Sequence, residues 1–268
     1  MKISVVMQSY LGDYPGARSR PKEKFIRSVS SFLSQIHEDK ELIIVSDGCN
    51  ITKELYDSFY KDNPLIRFVY LDKKEEKLTN NIEKDDKKTT YNFRGFPRGV
   101  GCYLATGDII CYLDTDDLIL PNHLMVLNGA WEKAPQSLLW INNPIRYVHS
   151  TVLKWSENLE ERKKQIEEKI KNKESVNLLT YGIKDLFFKE NFEKNRIRCS
   201  SSSISHRKNI KTTWTDSTMI LDQNYQRLEG LNEDHLFLNK IIDNEKCGGS
   251  RIDEATLVVC HWRGAYDL

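Results

Sequence analysis

Four short runs of apolar residues, many of them β-branched, recur along the first half of the chain: Ile3 to Met7, Leu42 to Val45, Ile66 to Leu71 and Ile109 to Leu113. They are too short for buried helices and largely lack the apolar/polar alternation of a half-exposed strand. They read as strands covered on both faces, and the helix-patterned stretches between them read as crossovers. This alternation predicts an α/β fold with a mostly parallel sheet.

Pro21 sits where a helix begins, and Phe25, Val29, Phe32 and Ile36 follow at helical spacing, giving one apolar stripe to pack on the sheet. Asn63-Pro64 marks the turn before the third run, and Ser46-Asp47-Gly48 closes the second. From Asp72 to Tyr91 the chain is Lys, Glu, Asp and Asn with scarcely an apolar residue, which predicts a mobile surface loop. Pro97 opens a helix through Ala105, Gly107 ends it, and the Ile109 strand stops at Asp114-Thr115-Asp116-Asp117. Pro121 starts another helix. Leu139 to Val148 reads as a strand, although Pro144 argues for an edge or a bulge. Ser156 to Lys173 is a charged helix with a sparse stripe at Leu159, Ile166 and Ile170. The last third returns to mixed runs: Ser200 to Ser205, a helix around Glu233 to Ile242, and a strand from Ala255 to Cys260. The expected organisation is a core over 1–150, a charged helical insertion over 151–199 and a segment of the same domain over 200–268.

Charge and cysteine content narrow the class. Forty basic residues stand against 39 acidic ones, which argues against tight non-specific binding to nucleic acid and against an acidic disordered tail. No stretch reaches the roughly 18 apolar residues of a membrane span, and Gln8 interrupts the apolar start before it could serve as a secretory signal, so a cytoplasmic location is expected. The six cysteines form no CxxC pair and are expected to be reduced, buried fillers.

The strongest chemical signal is the acidic tetrad Asp114-Thr115-Asp116-Asp117 at the carboxyl end of an apolar strand, the edge at which open α/β sheets bind ligands. Carboxylates held close together repel unless a cation lies between them. Their hard oxygens select manganese or magnesium (Mn²⁺ or Mg²⁺), most naturally carried by a diphosphate. An Asp-rich solvated turn is the competing explanation. An EF-hand loop is excluded, because Leu118 to Met125 supplies neither the glycine nor the glutamate it needs. An aspartate-nucleophile phosphatase carries D-x-D on its first strand, whereas three strand candidates precede this one, so that enzyme class stays as a lesser alternative.

Five segments in order, SVVMQSY at 4–10, SVSSFLSQ at 28–35, ELIIVSDG at 41–48, RGVG at 98–101 and ATGD at 105–108 running into YLDTDD at 112–117, resemble the successive motifs of family 2 glycosyltransferases. The likeness covers roughly the first 130 residues, and beyond them only Glu233-Asp234 and His261 match. It implies the GT-A fold, a Rossmann-like α/β sheet with a helical insertion and a carboxyl-terminal acceptor segment, and an inverting transfer from a UDP-sugar donor. Gln8, Tyr10 and Asp47 would hold the base, Arg98 would reach the base or a phosphate, Asp114 the ribose, Asp116 the metal, and Asp117 would share or support it. Glu233-Asp234 would supply the general base, preferably Asp234, although acidic residues are also favoured at a helix start. His261 would add a metal ligand, and Trp262 and Arg263 would border the diphosphate or sugar.

One departure from the family pattern is the Leu11 to Arg20 loop, which brings Arg18 and Arg20 close to Lys22 and Lys24. At this sheet edge the cluster suits an anionic acceptor or the donor phosphates. The resemblance implies a glycan or glycolipid acceptor, met only peripherally at a membrane. DNA bearing a modified base is the alternative acceptor, and a non-catalytic nucleotide-sugar-binding module the alternative class.

Overall fold

The computed structural model describes residues 1–12, 20–72, 90–92, 95–142, 145–148, 188–190, 201–214, 219–221, 234, 237–238, 240–241, 249–252 and 256–259. The strands are β1 (Ile3–Ser9), β2 (Lys40–Asp47), β3 (Ile66–Leu71), β4 (Thr90–Asn92), β5 (Ile109–Tyr112), β6 (Leu118–Ile119), β7 (Trp140–Asn142), β8 (Ile145–Val148), β9 (Phe188–Glu190), β10 (Ile204–Arg207), β11 (Met219–Leu221), β12 (Gly249–Arg251) and β13 (Leu257–Val259). The helices are α1 (Pro21–Leu33), α2 (Asn50–Phe59), α3 (Gly95–Leu104) and α4 (His123–Lys133), with a 3₁₀ turn at Ser201–Ser203.

Seven strands form the main sheet in the order β12-β7-β10-β5-β1-β2-β3. β10 pairs antiparallel to both β5 and β7, and the other pairings are parallel. This is the mostly parallel sheet of the GT-A fold. β1 lies beside both β2 and β5, so the chain crosses to one side after β1 and returns to the other before β5. That reversal opens a crevice at the strand ends, where α/β sheets place ligands. Val5 and Met7 pack with Phe25, Val29 and Phe32 of α1 on one face of the sheet. Val6 packs with Ile110, Tyr112, Trp214 and Phe237 on the other, so β1, β2 and β5 are buried on both faces, while the edge strand β3 leaves Arg67 and Tyr70 exposed.

Two expectations need correction. Ile36 drops out of the α1 stripe: the helix ends at Leu33 and Ile36 is 60% exposed. The predicted strand over 139–148 is two strands, β7 in the main sheet and β8 in a second sheet ordered β6-β13-β8-β9. Pro144 lies between them, and proline can neither donate to a ladder nor continue one. Within the Ser200 to Ser205 run, Ser201–Ser203 form a buried 3₁₀ turn that leads into β10.

The expected loop over 72–91 falls mostly, and the helix over 156–173 wholly, outside the described residues. Among those described, Cys49, Cys102 and Cys111 are free thiols, and burial pushes the Cys102 thiol up to about 12, which leaves it protonated. Cys199, Cys247 and Cys260 lie outside the described residues.

Candidate nucleotide-sugar site

The register carries β1 past the end of β5, since Val6 pairs with Tyr112, the last residue of β5, and the Leu113 N–H donates to the Val6 carbonyl at 3.1 Å. Gln8 on β1 and Asp114 after β5 therefore stand side by side at the crevice. The Oε1 of Gln8 is buried and has no hydrogen-bond partner among the described residues, and Tyr10 beyond it is 37% exposed. The loop tips after β1 and β2 are tied together: Ser9 and Thr52 hydroxyls bond at 2.8 Å, and the Leu11 N–H reaches the Cys49 Sγ at 3.2 Å. Asp47 ends β2 immediately before Gly48, whose φ of 65° turns the chain and favours glycine. Gln8, Tyr10 and Asp47 thus share one rim with the acidic tetrad.

The tetrad is a tight turn, closed by the Asp117 N–H on the Asp114 carbonyl at 3.1 Å. Helix α1 holds its backbone: Ser28 Oγ donates to the Asp114 carbonyl and Arg27 Nη2 to the Asp116 carbonyl, both at 2.9 Å. The three aspartates face different partners. Asp114 accepts from Arg98 at 3.0 Å and from Ser201 at 2.9 and 3.0 Å. Asp117 is fully buried and accepts from Ser202 at 3.2 Å, while Ser202 Oγ also takes the Asp114 N–H at 3.0 Å. Asp116 remains partly exposed. Among the described residues no three acidic, histidine or cysteine side chains gather at one point as a ready-made metal cage. The donor set still suits Mg²⁺ or Mn²⁺, which bind through one or two carboxylates plus substrate phosphates rather than through a complete protein shell.

Arg98 is 5% exposed and sits between two carboxylates, with its second nitrogen, Nη1, 3.6 Å from Asp234. Its guanidinium lies 4.8 Å from the Trp214 ring centroid, and Trp214 stacks on Phe237 at 3.9 Å. Asp234, Phe237, Leu238, Lys240 and Ile241 are helical, so Phe237 lies three residues along the same face as Asp234. Gly101 seats the helix: a β-carbon there would stand 2.3 Å from Val6 Cγ1, so the glycine lets α3 press onto the sheet. At Gly95 a β-carbon would meet the Trp214 carbonyl oxygen at 2.3 Å, so this glycine admits the Trp214 backbone.

Of the residues singled out from the sequence, the fold gathers Gln8, Tyr10, Asp47, Arg98, Asp114, Asp116, Asp117 and Asp234 along one edge of the sheet. Arg20 precedes the first turn of α1, with φ 52° and an ion pair to Glu23 at 3.5 Å. Lys24 is only 3% exposed, so the basic run is not one solvated face. Arg18, Glu233, His261, Trp262 and Arg263 lie outside the described residues. Sequence reasoning missed Arg27, Ser28, Ser201 and Ser202. Ser28 belongs to a motif segment and the serine run at 200–203 was visible, but nothing in either marks which backbone or carboxylate it will meet.

A four-stranded parallel block with its loops converging where the strand order reverses defines an α/β protein of the GT-A fold. No protein-family model matches the chain. Over 138 residues, 52% of its length, it is 28% identical to the glucosyl-dolichyl phosphate glucuronosyltransferase of Haloferax volcanii, of which it covers 36%. In fold it is similar to S. aureus TarS 1-349, with TM-scores of 0.55 alone, 0.56 in complex with UDP-GlcNAc and 0.57 in complex with UDP. Those matches cover 97% of this chain and 58–60% of TarS 1-349 at 14% identity. The chain therefore spans about a third of the glucuronosyltransferase and about three-fifths of the TarS fragment. The sequence likeness is thus to a glycosyltransferase, and the structural likeness is one of fold. Among the described residues no helix is long and apolar enough to cross a membrane.

Proposed function

We propose that this chain transfers a sugar from a UDP-sugar to an acceptor hydroxyl with inversion at the anomeric carbon. The observation that carries the reading is the single rim formed by Gln8, Tyr10, Asp47 and the Asp114 turn beside the β1/β5 crevice. The uridine would lie against Tyr10, with the buried Gln8 Oε1 and Asp47 as acceptors for its ring N–H, and Asp114 would hold the ribose. The likeness to TarS structures holding UDP and UDP-GlcNAc supports a uridine donor. The likeness to an enzyme whose substrate is named as glucosyl-dolichyl phosphate supports a glycan or glycolipid acceptor.

Asp116 is the residue to hold a divalent ion, with Asp117 supporting the turn from within and His261 completing the set. In support of His261, β13 runs antiparallel to β6 with Val258 opposite Leu118, so this strand heads toward Asp117 as it ends. When bound, Mn²⁺ or Mg²⁺ supplies charge stabilisation to the departing diphosphate. The protein's own step is proton transfer. Asp234 takes the proton of the acceptor hydroxyl as its oxygen bonds to the anomeric carbon, the bond from that carbon to the diphosphate oxygen breaks on the opposite side, and UDP leaves. One base and no protein nucleophile give a single displacement.

Calorimetry with UDP and Mn²⁺ tests the donor site, and UDP release from a panel of UDP-sugars tests turnover. Asp116→Ala should abolish the metal-dependent part of UDP binding, and Asp234→Asn should abolish transfer while leaving UDP affinity nearly intact. Failure of the wild-type protein to bind UDP would refute the proposal.

A further inference from the structure

Arg98 combines an unusual set of contacts. It is buried, its Nη2 bonds Asp114 at 3.0 Å and Ser201 at 2.8 Å, its Nη1 lies 3.6 Å from Asp234, and its plane lies 4.8 Å from the Trp214 ring centroid. A guanidinium does not deprotonate in proteins, so this is a permanent charge. Asp114 and Asp234 therefore share this one cation. The planar fork of arginine can serve both at once, which the point charge of lysine cannot.

We infer that Arg98 is a positioning residue that holds the donor-side Asp114 and the acceptor-side Asp234 in fixed relation, rather than a group that touches the donor. This rests on the glycosyltransferase reading above. The two carboxylates come from distant parts of the chain, one after β5 and one in the last third, and Arg98 on α3 bridges them. The aromatic contacts support the same assignment. Trp214 lies against Arg98 and stacks on Phe237, so the helical turn carrying Asp234 rests on the same ring that backs the guanidinium. Tyr112, at the end of β5, meets both rings edge-on, with centroids at 5.2 Å from Trp214 and 6.4 Å from Phe237. The strand that delivers Asp114 and the helix that delivers Asp234 are therefore registered against each other through one packed stack.

A direct ligand contact and a positioning role differ in how losses combine, because effects that pass through a shared partner are not additive. UDP affinity with Mn²⁺, and the rate of UDP release from the UDP-sugar turned over fastest in the panel, would be measured for wild type, Arg98→Met, Asp114→Asn, Asp234→Asn and the two double variants. Thermal melts would check that each folds. Arg98→Met is expected to weaken UDP binding about tenfold and to lower kcat about a hundredfold, the usual range for residues that orient a site's ligands. It should add less than about twofold to the affinity loss of Asp114→Asn and to the kcat loss of Asp234→Asn. Arg98→Lys should recover part of both, and it carries the same cycles if Arg98→Met does not fold. Losses that multiply in full in both backgrounds would overturn the inference and make Arg98 a direct donor contact. Wild-type protein that neither binds UDP nor releases it from any UDP-sugar would instead sink the functional reading itself, and this inference with it.

Discussion

Gly101 offers a quantitative test of how α3 is seated. An alanine there would put its β-carbon 2.3 Å from Val6 Cγ1, 3.3 Å from Val6 Cγ2 and 3.4 Å from Val45 Cγ2. Carbon atoms prefer about 3.5–4.0 Å, so the helix and sheet must separate by roughly 1.2 Å or more. Val6 is 1% exposed and Val45 is wholly buried, and valine has little rotamer freedom with which to yield. Overpacking of this kind costs about 1–3 kcal/mol, whereas replacing a helical glycine by alanine recovers about 0.5–1 kcal/mol. The net expectation is a loss of about 1–2 kcal/mol, or a melting temperature lower by roughly 2–8 °C. Gly129, inside α4, has nothing within 4 Å of its would-be β-carbon, so Gly129→Ala keeps only the gain and should raise the melting temperature by roughly 1–4 °C. Differential scanning calorimetry of the pair therefore reads opposite signs from one chemical change. Arg98 lies three residues from Gly101, so Gly101→Ala should also weaken UDP binding. A Gly101→Ala protein that melts at or above wild type with unchanged UDP affinity would refute the reasoning.

Burial lowers His123 to about 3, so the folded protein keeps it neutral while the unfolded chain protonates it near its ordinary 6.5. The unfolded state then binds more protons between those values, and stability is lost as pH falls through that window; urea titrations should show a shallower loss for His123→Gln. Burial pushes the Glu41 carboxyl up, but hydrogen bonds from Ser4 and Thr106, with the charge of Lys2, outweigh it and hold the group below 4.5. Its stabilisation is present above that ordinary value and lost as pH falls through the lower folded one, so Glu41→Gln should cost stability at neutral pH and little in acid. Gln35 donates to the Ser31 and Leu120 carbonyls and accepts the Leu124 N–H at 2.9, 2.8 and 3.0 Å, pinning the end of α1 to the entry of α4. Gln35→Ala should destabilise by about 1–3 kcal/mol in urea unfolding, because buried backbone groups lose their partner.

Much of the architecture was legible because a strand buried on both faces must be apolar throughout. Ile3 to Met7, Leu42 to Val45, Ile66 to Leu71 and Ile109 to Leu113 all lie within strands or, for Leu113, one residue past an end. The α1 start at Pro21 was equally plain. Where the chain changes sheets at Pro144, proline signalled a break, but periodicity has no means of saying that β7 and β8 join different sheets. The antiparallel β10 was likewise invisible, since its direction depends on which neighbour it pairs with.

The rim of the candidate site divides along the same line. Asp114, Asp116 and Asp117 were conspicuous as a strand-end acidic turn, a local pattern that composition and spacing express directly. That Asp114 would be held by Ser201, Asp117 by Ser202 and the turn's carbonyls by Arg27 and Ser28 required elements 80 or more residues apart to meet. Arg98 was recognisable as a basic residue in a motif, yet its burial between Asp114 and Asp234 follows only from docking α3 on the sheet and Phe237 on Trp214. The sequence by itself determined the strands, the crossovers and the acidic edge, because these depend on each residue's own chemistry and its near neighbours. Tertiary structure alone decided which carboxylates are engaged, which face solvent and which share a cation, because those outcomes depend on distances between segments that no local pattern records.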